Sequence, residues 1–372
     1  MQMVLTLQET KKASTPPIEF VEINKAVHAL YAIRDGRSGN MGERRVRVLV
    51  VARHVTEYRC KFPGGTVVDA EKPYEMSENH AMPYGVYFVN FQIPENETVA
   101  DSIEFTQQKS PWMRIPVMYN LPSETDIKEH THQLTICLPF LFGDRYSGKS
   151  LVEFMELNRI LGVHHVVVYL NDTSMSDNLL KVIDFYESNN FLEVIRLAIP
   201  LAPEQIWYHG QLVAITDCLY RQVGMSRFVA FHDLDEFLIP QQPELLPRNS
   251  TLVALLNELL TKDVASVRVP TQYMDFQSRD GLMTLKNIGR KKYLDKDLTK
   301  CVLRPEMVFE QGIHHTSRVI QNHYKAVHGD ERILRLYHYK TKGGSEKDNR
   351  IVRDYGDRLT QRYLEVIAKI GL

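Results

Sequence analysis

Two stretches of this chain carry residue types at spacings that could do chemistry. In FHDLDEFLIP, Asp233 and Asp235 stand two residues apart, just past the apolar run RFVAF. In extended geometry both carboxylates point the same way. Paired carboxylates repel each other, and a divalent cation relieves that repulsion. Mg²⁺ or Mn²⁺ is commonly held by one or two carboxylates, with phosphate oxygens completing the shell. A D-x-D at the carboxyl end of a buried strand therefore suits a nucleoside diphosphate. The second stretch, FGDRYSGKS, has the G-x-x-x-x-G-K-[ST] spacing of a phosphate-cradling loop. There Lys149 would meet phosphates and Ser150 would hold Mg²⁺, so that Gly143–Ser150 and Asp233 together would make a P-loop NTPase.

Context separates the two. Pro139 lies four residues before Gly143 and lacks the N–H that a central strand donates, so the strand should stop near Leu138. Asp233-Leu234-Asp235-Glu236 also offers one carboxylate more than a nucleotidase strand end requires. A second D-x-D, Asp295-Lys296-Asp297, sits in the polar run RKKYLDKDLTK and reads as solvated surface. His130 and His132 lack the following Asp-His of a hydrolase metal site and read as linker surface, while His164-His165 opens a strand and reads as structural. Trp207-Tyr208-His209 could stack against a sugar or uracil ring, or simply pack at a helix start.

The 372 residues are 44% apolar and 24% charged with net charge −1. That is the composition of a globular chain with no polyanion-binding balance, so no nucleic-acid partner is expected. No run reaches the roughly 20 apolar residues of a bilayer span, and MQMVLTLQETKKASTPP lacks the apolar core of a signal peptide. Membrane attachment is expected only through an anchor not present in this chain. The four cysteines include no CxxC pair, and their even number permits disulfides. The sequons at Asn96, Asn171 and Asn249 lean toward a secretory compartment.

Residues 1–130 carry short β-rich runs (46–53, 65–70 and 84–93) and read as a β-rich module, with 118–133 as its polar linker. Residues 131–372 alternate strands (134–138, 164–170, 192–199, 227–233, 265–273) with helical patterns and finish in a C-terminal helix. This is the rhythm of an α/β fold with a doubly wound, mostly parallel sheet. Ligands of such sheets sit beyond the carboxyl ends of the strands. Residues after Leu138, Leu170, Ile199 and Phe231 should face one crevice.

ELNRILGVHHVVVYLND, FHDLDEFLIP, RPEMV-x4-IHH (Arg304 to His315) and LRLYHYK (Leu334 to Lys340) together resemble glycosyltransferase family 92 over roughly 134–340. The resemblance implies a GT-A fold and a metal-dependent inverting transfer of galactose from UDP-galactose to a glycan or glycoprotein acceptor. Its cofactor would be Mn²⁺, with Mg²⁺ as the alternative, and its place the Golgi lumen. Carried over, Asp235 holds the metal, Asp233 meets the ribose or the metal, and His314 rather than His315 completes the metal shell. Lys340 or Arg335 neutralises the departing diphosphate, and Arg145 and Lys149 lie near the nucleotide. Inversion needs a general base on a loop after a later strand. Asp275 fits by position, with Asp280 and Glu236 as alternatives. A non-catalytic protein that binds glycans through its β-rich module is the remaining reading.

Overall fold

The computed structural model describes residues 17–39, 44–54, 56–123, 125–141, 146–171, 175–242, 252–276, 281–341 and 343–372. The N-terminal module contains β1 (Val21–Asn24), β2 (Val27–Asp35), β3 (Arg45–Ala52), β4 (Tyr58–Lys61), β5 (Val67–Asp69), β6 (Tyr74–Glu75), β7 (Gly85–Gln92), β8 (Ser102–Gln107) and β9 (Met113–Leu121). They pair in the order β5-β4-β8-β9-β2-β3-β7-β6, with β1 beside β2. β2, β3 and β7 are buried along nearly their whole length because both of their faces are covered. Val46, Val48 and Val50 fill the module's own core, while Leu49 and Val51, on the opposite face, pack on the second domain.

β9 continues through Leu121, so the polar segment read as a linker from Met118 begins inside a strand. The reason is alternation. β9 buries Ile115 and Leu121 while exposing Pro116, Met118 and Asn120, and its composition therefore looks like that of a loop.

The second domain runs β10 (His132–Leu138), α1 (Gly148–Leu161), β11 (His165–Leu170), α2 (Asp177–Ser188), β12 (Leu192–Arg196), α3 (Gln211–Gln222), β13 (Ser226–Phe231), β14 (Glu236–Pro240), α4 (Leu252–Leu259) and β15 (Val264–Asp275). It continues with α5 (Met283–Lys286), β16 (Gly289–Arg290), β17 (Asp295–Leu303), β18 (Val308–Gln311), β19 (Thr316–Val319), β20 (Lys325–His328), β21 (Leu334–Thr341), β22 (Glu346–Lys347) and α6 (Arg350–Ile370). The sheet order is β12-β11-β10-β13-β17-β15-β16-β22. β12, β11, β10 and β13 are mutually parallel, and β17 turns antiparallel between β13 and β15. α1, α2 and α6 share one apolar layer with one face of this sheet. α3 covers the other face, together with the N-terminal module. The sheet is thus wound on both sides.

β10 stops at Leu138, one residue before Pro139. The GKS of the loop-like motif forms the first turn of α1, where the Ser147 side chain accepts from Ser150 N at 3.1 Å. α1 ends at Gly162 in the left-handed conformation, φ 91°.

The two parts share polar as well as apolar contacts. Asp217 of α3 accepts the hydroxyls of Tyr31, Tyr119 and Tyr169, drawn from both domains, and is paired with Arg221. Arg37, fully buried, pairs with Asp35 and donates to the carbonyls of Pro305 and Val308 across the seam. A disulfide joins Cys137 of β10 to Cys218 of α3. Among the described residues no helix is long and apolar enough to cross a membrane.

Candidate active site

β13 delivers its last residues to the carboxyl edge of the parallel strands, where a doubly wound sheet holds its ligands. The carboxylate pair does not continue the strand as expected. Asp233–Glu236 is a turn, with Glu236 N donating to the Asp233 carbonyl at 3.1 Å. Its closing carboxylate, Glu236 Oε2, accepts from Asp233 N at 2.8 Å. Local hydrogen bonding by the acidic side chain outcompetes the strand ladder here.

The turn aims its carboxylates at two basic groups from other strands. Lys300 Nζ, from β17, lies 3.2 Å from Asp233 Oδ2 and 3.7 Å from Glu236. His338, from β21, places Nε2 3.8 Å from Asp235 Oδ1 and Nδ1 3.2 Å from Glu236 Oε1. The register explains the second meeting, since β14 and β21 pair antiparallel with Glu236 directly opposite His338. Asp233 is the open member of the group, its side chain 36% exposed, whereas those of Glu236 and Lys300 are 3% and 5% exposed.

Burial and neighbours divide the charges. Burial pushes the Glu236 carboxyl up and Asp233 adds to the push; Lys300 pulls against both, and the result is about 7. Burial also opposes ionisation of Asp233, but the Lys300 ammonium outweighs it and holds that carboxyl below its usual range. Lys300 in turn is held protonated by Asp233 and Glu236 against the cost of its burial. Burial lowers both His338 and His314, which favours neutral imidazoles.

His314 sits in the turn between β18 and β19. Its Nδ1 lies 3.0 Å from the Thr299 carbonyl, which can only accept, so Nδ1 carries the proton and Nε2 keeps its lone pair. Thr299 Oγ1 returns a bond to the His314 carbonyl at 2.7 Å. His315 faces the other way, 3.5 Å from Glu78. Oxygen donors from Asp233 and Asp235 with neutral imidazole nitrogens from His314 or His338 fit a divalent cation chemically. Among the described residues no three such side chains are gathered into a ready protein shell. That suits a cation completed by diphosphate oxygens.

Lys340 is exposed on β21, two residues beyond His338 and on the same face, and its charge reaches Glu236 and His338. Arg335 is on the opposite face, with Nε on the Glu331 carbonyl. Asp275 ends β15, two residues past Tyr273, whose ring centroid is 5.6 Å from that of His338. One Asp275 oxygen accepts from Gly344 N at 2.8 Å, and the other fills the space left by Gly289. Lys149 is exposed in the first turn of α1. Arg145 and Asp280 lie outside the described residues, as do Gly143 and Asp144 of the Gly143–Ser150 match.

Two site residues escaped the sequence reading. Lys300 follows the polar run of Asp295–Thr299, and nothing local marks it as buried. His338 stood inside the LRLYHYK match, and the alternation of that strand, with Leu334, Leu336 and His338 on one face, was the available signal.

A glycosyltransferase family 92 model matches residues 132–363. The chain belongs to glycosyltransferase family 92. It is 33% identical to a beta-1,4-galactosyltransferase of Caenorhabditis elegans, over 98% of this chain and 86% of that protein. It is also 28% identical to a galactan beta-1,4-galactosyltransferase of Arabidopsis thaliana, over 36% of this chain and 26% of that one. Among solved structures, a mannosyltransferase from Pyrobaculum calidifontis in complex with GDP-Man and Mn²⁺ aligns at TM-score 0.31 and 11% identity, covering 65% of this chain and 66% of that one. This family 92 member is a glycosyltransferase built on a doubly wound α/β sheet. The eight-residue match at Gly143–Ser150 therefore does not make it a P-loop nucleotidase, nor is it only a glycan-binding protein.

Proposed function

We propose that this family 92 enzyme transfers galactose from UDP-galactose to a hydroxyl of a glycan or glycoprotein, with inversion and with Mn²⁺ or Mg²⁺ bound. The observation that carries the reading is the Asp233–Glu236 turn at the carboxyl edge of β13, flanked by Lys300, His338 and His314.

Asp235, Asp233 and His314 are the residues to hold the cation, which when bound supplies Lewis-acid stabilisation of the departing diphosphate. Lys340, on the open face of β21, adds a positive charge beside that leaving group. The acceptor oxygen must lose its proton as it attacks the anomeric carbon. Asp275 is the acceptor-side base in this reading, a carboxylate seated by Gly344 and Gly289 at the far end of β15. Arg145, in the segment after β10, is assigned to the nucleotide.

A lumenal, Golgi-type setting is part of the proposal. It is supported by the buried Cys137–Cys218 disulfide, which persists in oxidising compartments, and by the exposed sequon at Asn96.

Thermal stability with UDP, UDP-galactose, ATP and GTP, each with and without Mn²⁺, tests the donor class. Ligand at ~100 times its dissociation constant stabilises by about 2.7 kcal/mol. Mn²⁺-dependent stabilisation by UDP species, lost in Asp235→Ala, is expected. Stabilisation by ATP or GTP that vanishes in Lys149→Ala would overturn the reading. Product linkage and anomeric configuration then follow from NMR of the isolated glycan.

A further inference from the structure

The turn that carries His314 is gripped from outside its own domain. β18 and β19 pair with each other in a two-stranded sheet apart from the main one. Their ladder does not by itself set where the turn stands: Thr299 of β17 ties it to the main sheet through two bonds, and the N-terminal module grips it from another side. Glu310, at the base of this hairpin, accepts from the N-terminal module: Tyr74 hydroxyl at 2.5 Å, Ser77 N at 2.8 Å and Ser77 Oγ at 2.6 Å. In return Glu78, the next residue of the module, accepts from Ile313 N at 2.6 Å and lies 3.5 Å from His315 Nδ1. Those two residues flank His314. Each side contributes one carboxylate and receives one.

The fit is close. A Cβ on Gly312 would come within 2.9 Å of a Glu78 carboxylate oxygen. The loop also holds non-glycine residues in the left-handed region, Glu78 at φ 65°, His80 at 51° and Ala81 at 59°. Such backbone persists where its surroundings over-determine it. The surroundings here are the Glu78 bonds on one side and, on the other, the His80 ring tilted against Trp207 with centroids 4.2 Å apart.

We propose that Glu78 is a positioning residue of the metal site, so that the N-terminal module completes the site by holding the His314 turn against Asp233 and Asp235. This rests on the metal-dependent transferase reading above.

The experiment measures Mn²⁺ affinity of the full chain in saturating UDP, from the free-Mn²⁺ resonance signal, beside UDP affinity without metal and the unliganded melting temperature. Glu78→Ala should weaken Mn²⁺ about 10-fold or more, the usual cost of losing the support behind a ligand, with metal-free UDP affinity unchanged. Glu78→Gln keeps an acceptor for Ile313 N and should recover most of the loss. Gly312→Ala should weaken Mn²⁺ from the hairpin side with the carboxylate intact, and decides the matter if Glu78→Ala does not fold. His314→Ala should lose at least as much, and the double variant no more than His314→Ala alone. Wild-type Mn²⁺ affinity in Glu78→Ala, in Gly312→Ala or in His314→Ala overturns the proposal, as does additivity. If those variants bind like the wild type while Asp235→Ala abolishes Mn²⁺ binding, the transferase reading stands and only the role of Glu78 falls. No UDP-dependent Mn²⁺ binding in the wild type removes both.

Discussion

The Lys300 ammonium of β17 meets the Asp233 carboxylate, in the turn just past β13, at 3.2 Å, with Glu236 3.7 Å from the same ammonium. One lysine thus balances part of a three-carboxylate turn whose Asp233 stays partly exposed. Under the metal-dependent reading proposed above, a divalent cation would add positive charge to this turn.

Replacing Lys300 with Met should therefore have two opposite effects. Without metal, Asp233 and Glu236 lose their only close ammonium among the described residues. The fold should weaken by about 1–3 kcal/mol, less than for a fully enclosed pair because Asp233 is partly in water. With Mn²⁺ and UDP, much of that loss should return. Urea denaturation in the two conditions reads both, and equal losses with and without metal would contradict a shared electrostatic site.

Asp275 and Gly289 form a second pair whose relationship is steric. A Cβ at Gly289 would stand 2.0 Å from an Asp275 carboxylate oxygen, so no side chain larger than hydrogen fits while Asp275 keeps its place. Asp275→Asn should cut kcat by roughly 10²–10⁴, the usual share of a general base, while UDP affinity holds. Gly289→Ala should reproduce much of that loss by displacing the carboxylate. Should Glu236→Gln carry the kcat loss and Asp275→Asn none, the base belongs to the buried acid whose carboxyl sits near 7.

How much of this could be read in the sequence depends on how local its cause is. The alternation of strands and helices was legible because strands such as β11 are buried on every residue and the helices between them switch period. The placing of Asp233 and Asp235 just past a buried strand was legible from residue type and from the apolar run before them. Their turn geometry was not, since it depends on a hydrogen bond back from Glu236. Lys300 acquires meaning only once β17 is laid beside β13, a pairing between residues about seventy positions apart. Glu78 is more distant still, and nothing in EMSENH announces that it will grip a turn 235 residues away.

The Cys137–Cys218 disulfide ties the central strand β10 to α3, next to the Asp217 that gathers tyrosines from both domains. Changing both cysteines to Ala should cost about 2–4 kcal/mol, as expected for a long closed loop. Peptide mapping without reductant should recover the cross-linked pair, with Cys60 and Cys301 as free thiols. Recovery of four free thiols from protein folded in an oxidising compartment would count against this pairing.

His132 offers a pH test away from the candidate active site. Its ring stacks on that of His165 at 4.4 Å, across the first residues of β10 and β11. Burial, then the neighbouring His165 and His164, push it down to about 4, with Glu193 opposing. The folded protein therefore refuses a proton that the unfolded chain accepts near 6.5. The stability this represents is fully present above about pH 6.5 and is lost as pH falls toward 4. His232, also lowered to about 4 by burial, adds to the same slope. Glu236, raised to about 7, works the other way and stabilises the fold as pH falls from 7. The wild-type curve mixes these, so the difference between wild type and His132→Phe, which keeps a ring against His165, isolates the one group. That difference should be flat from pH 8 to 6.5 and then shift in favour of the variant down to pH 4.5, by at most one proton's worth of slope. Denaturant titrations at five pH values would show it. A difference that stays constant across the range would mean that His132 titrates alike in the folded and unfolded chain.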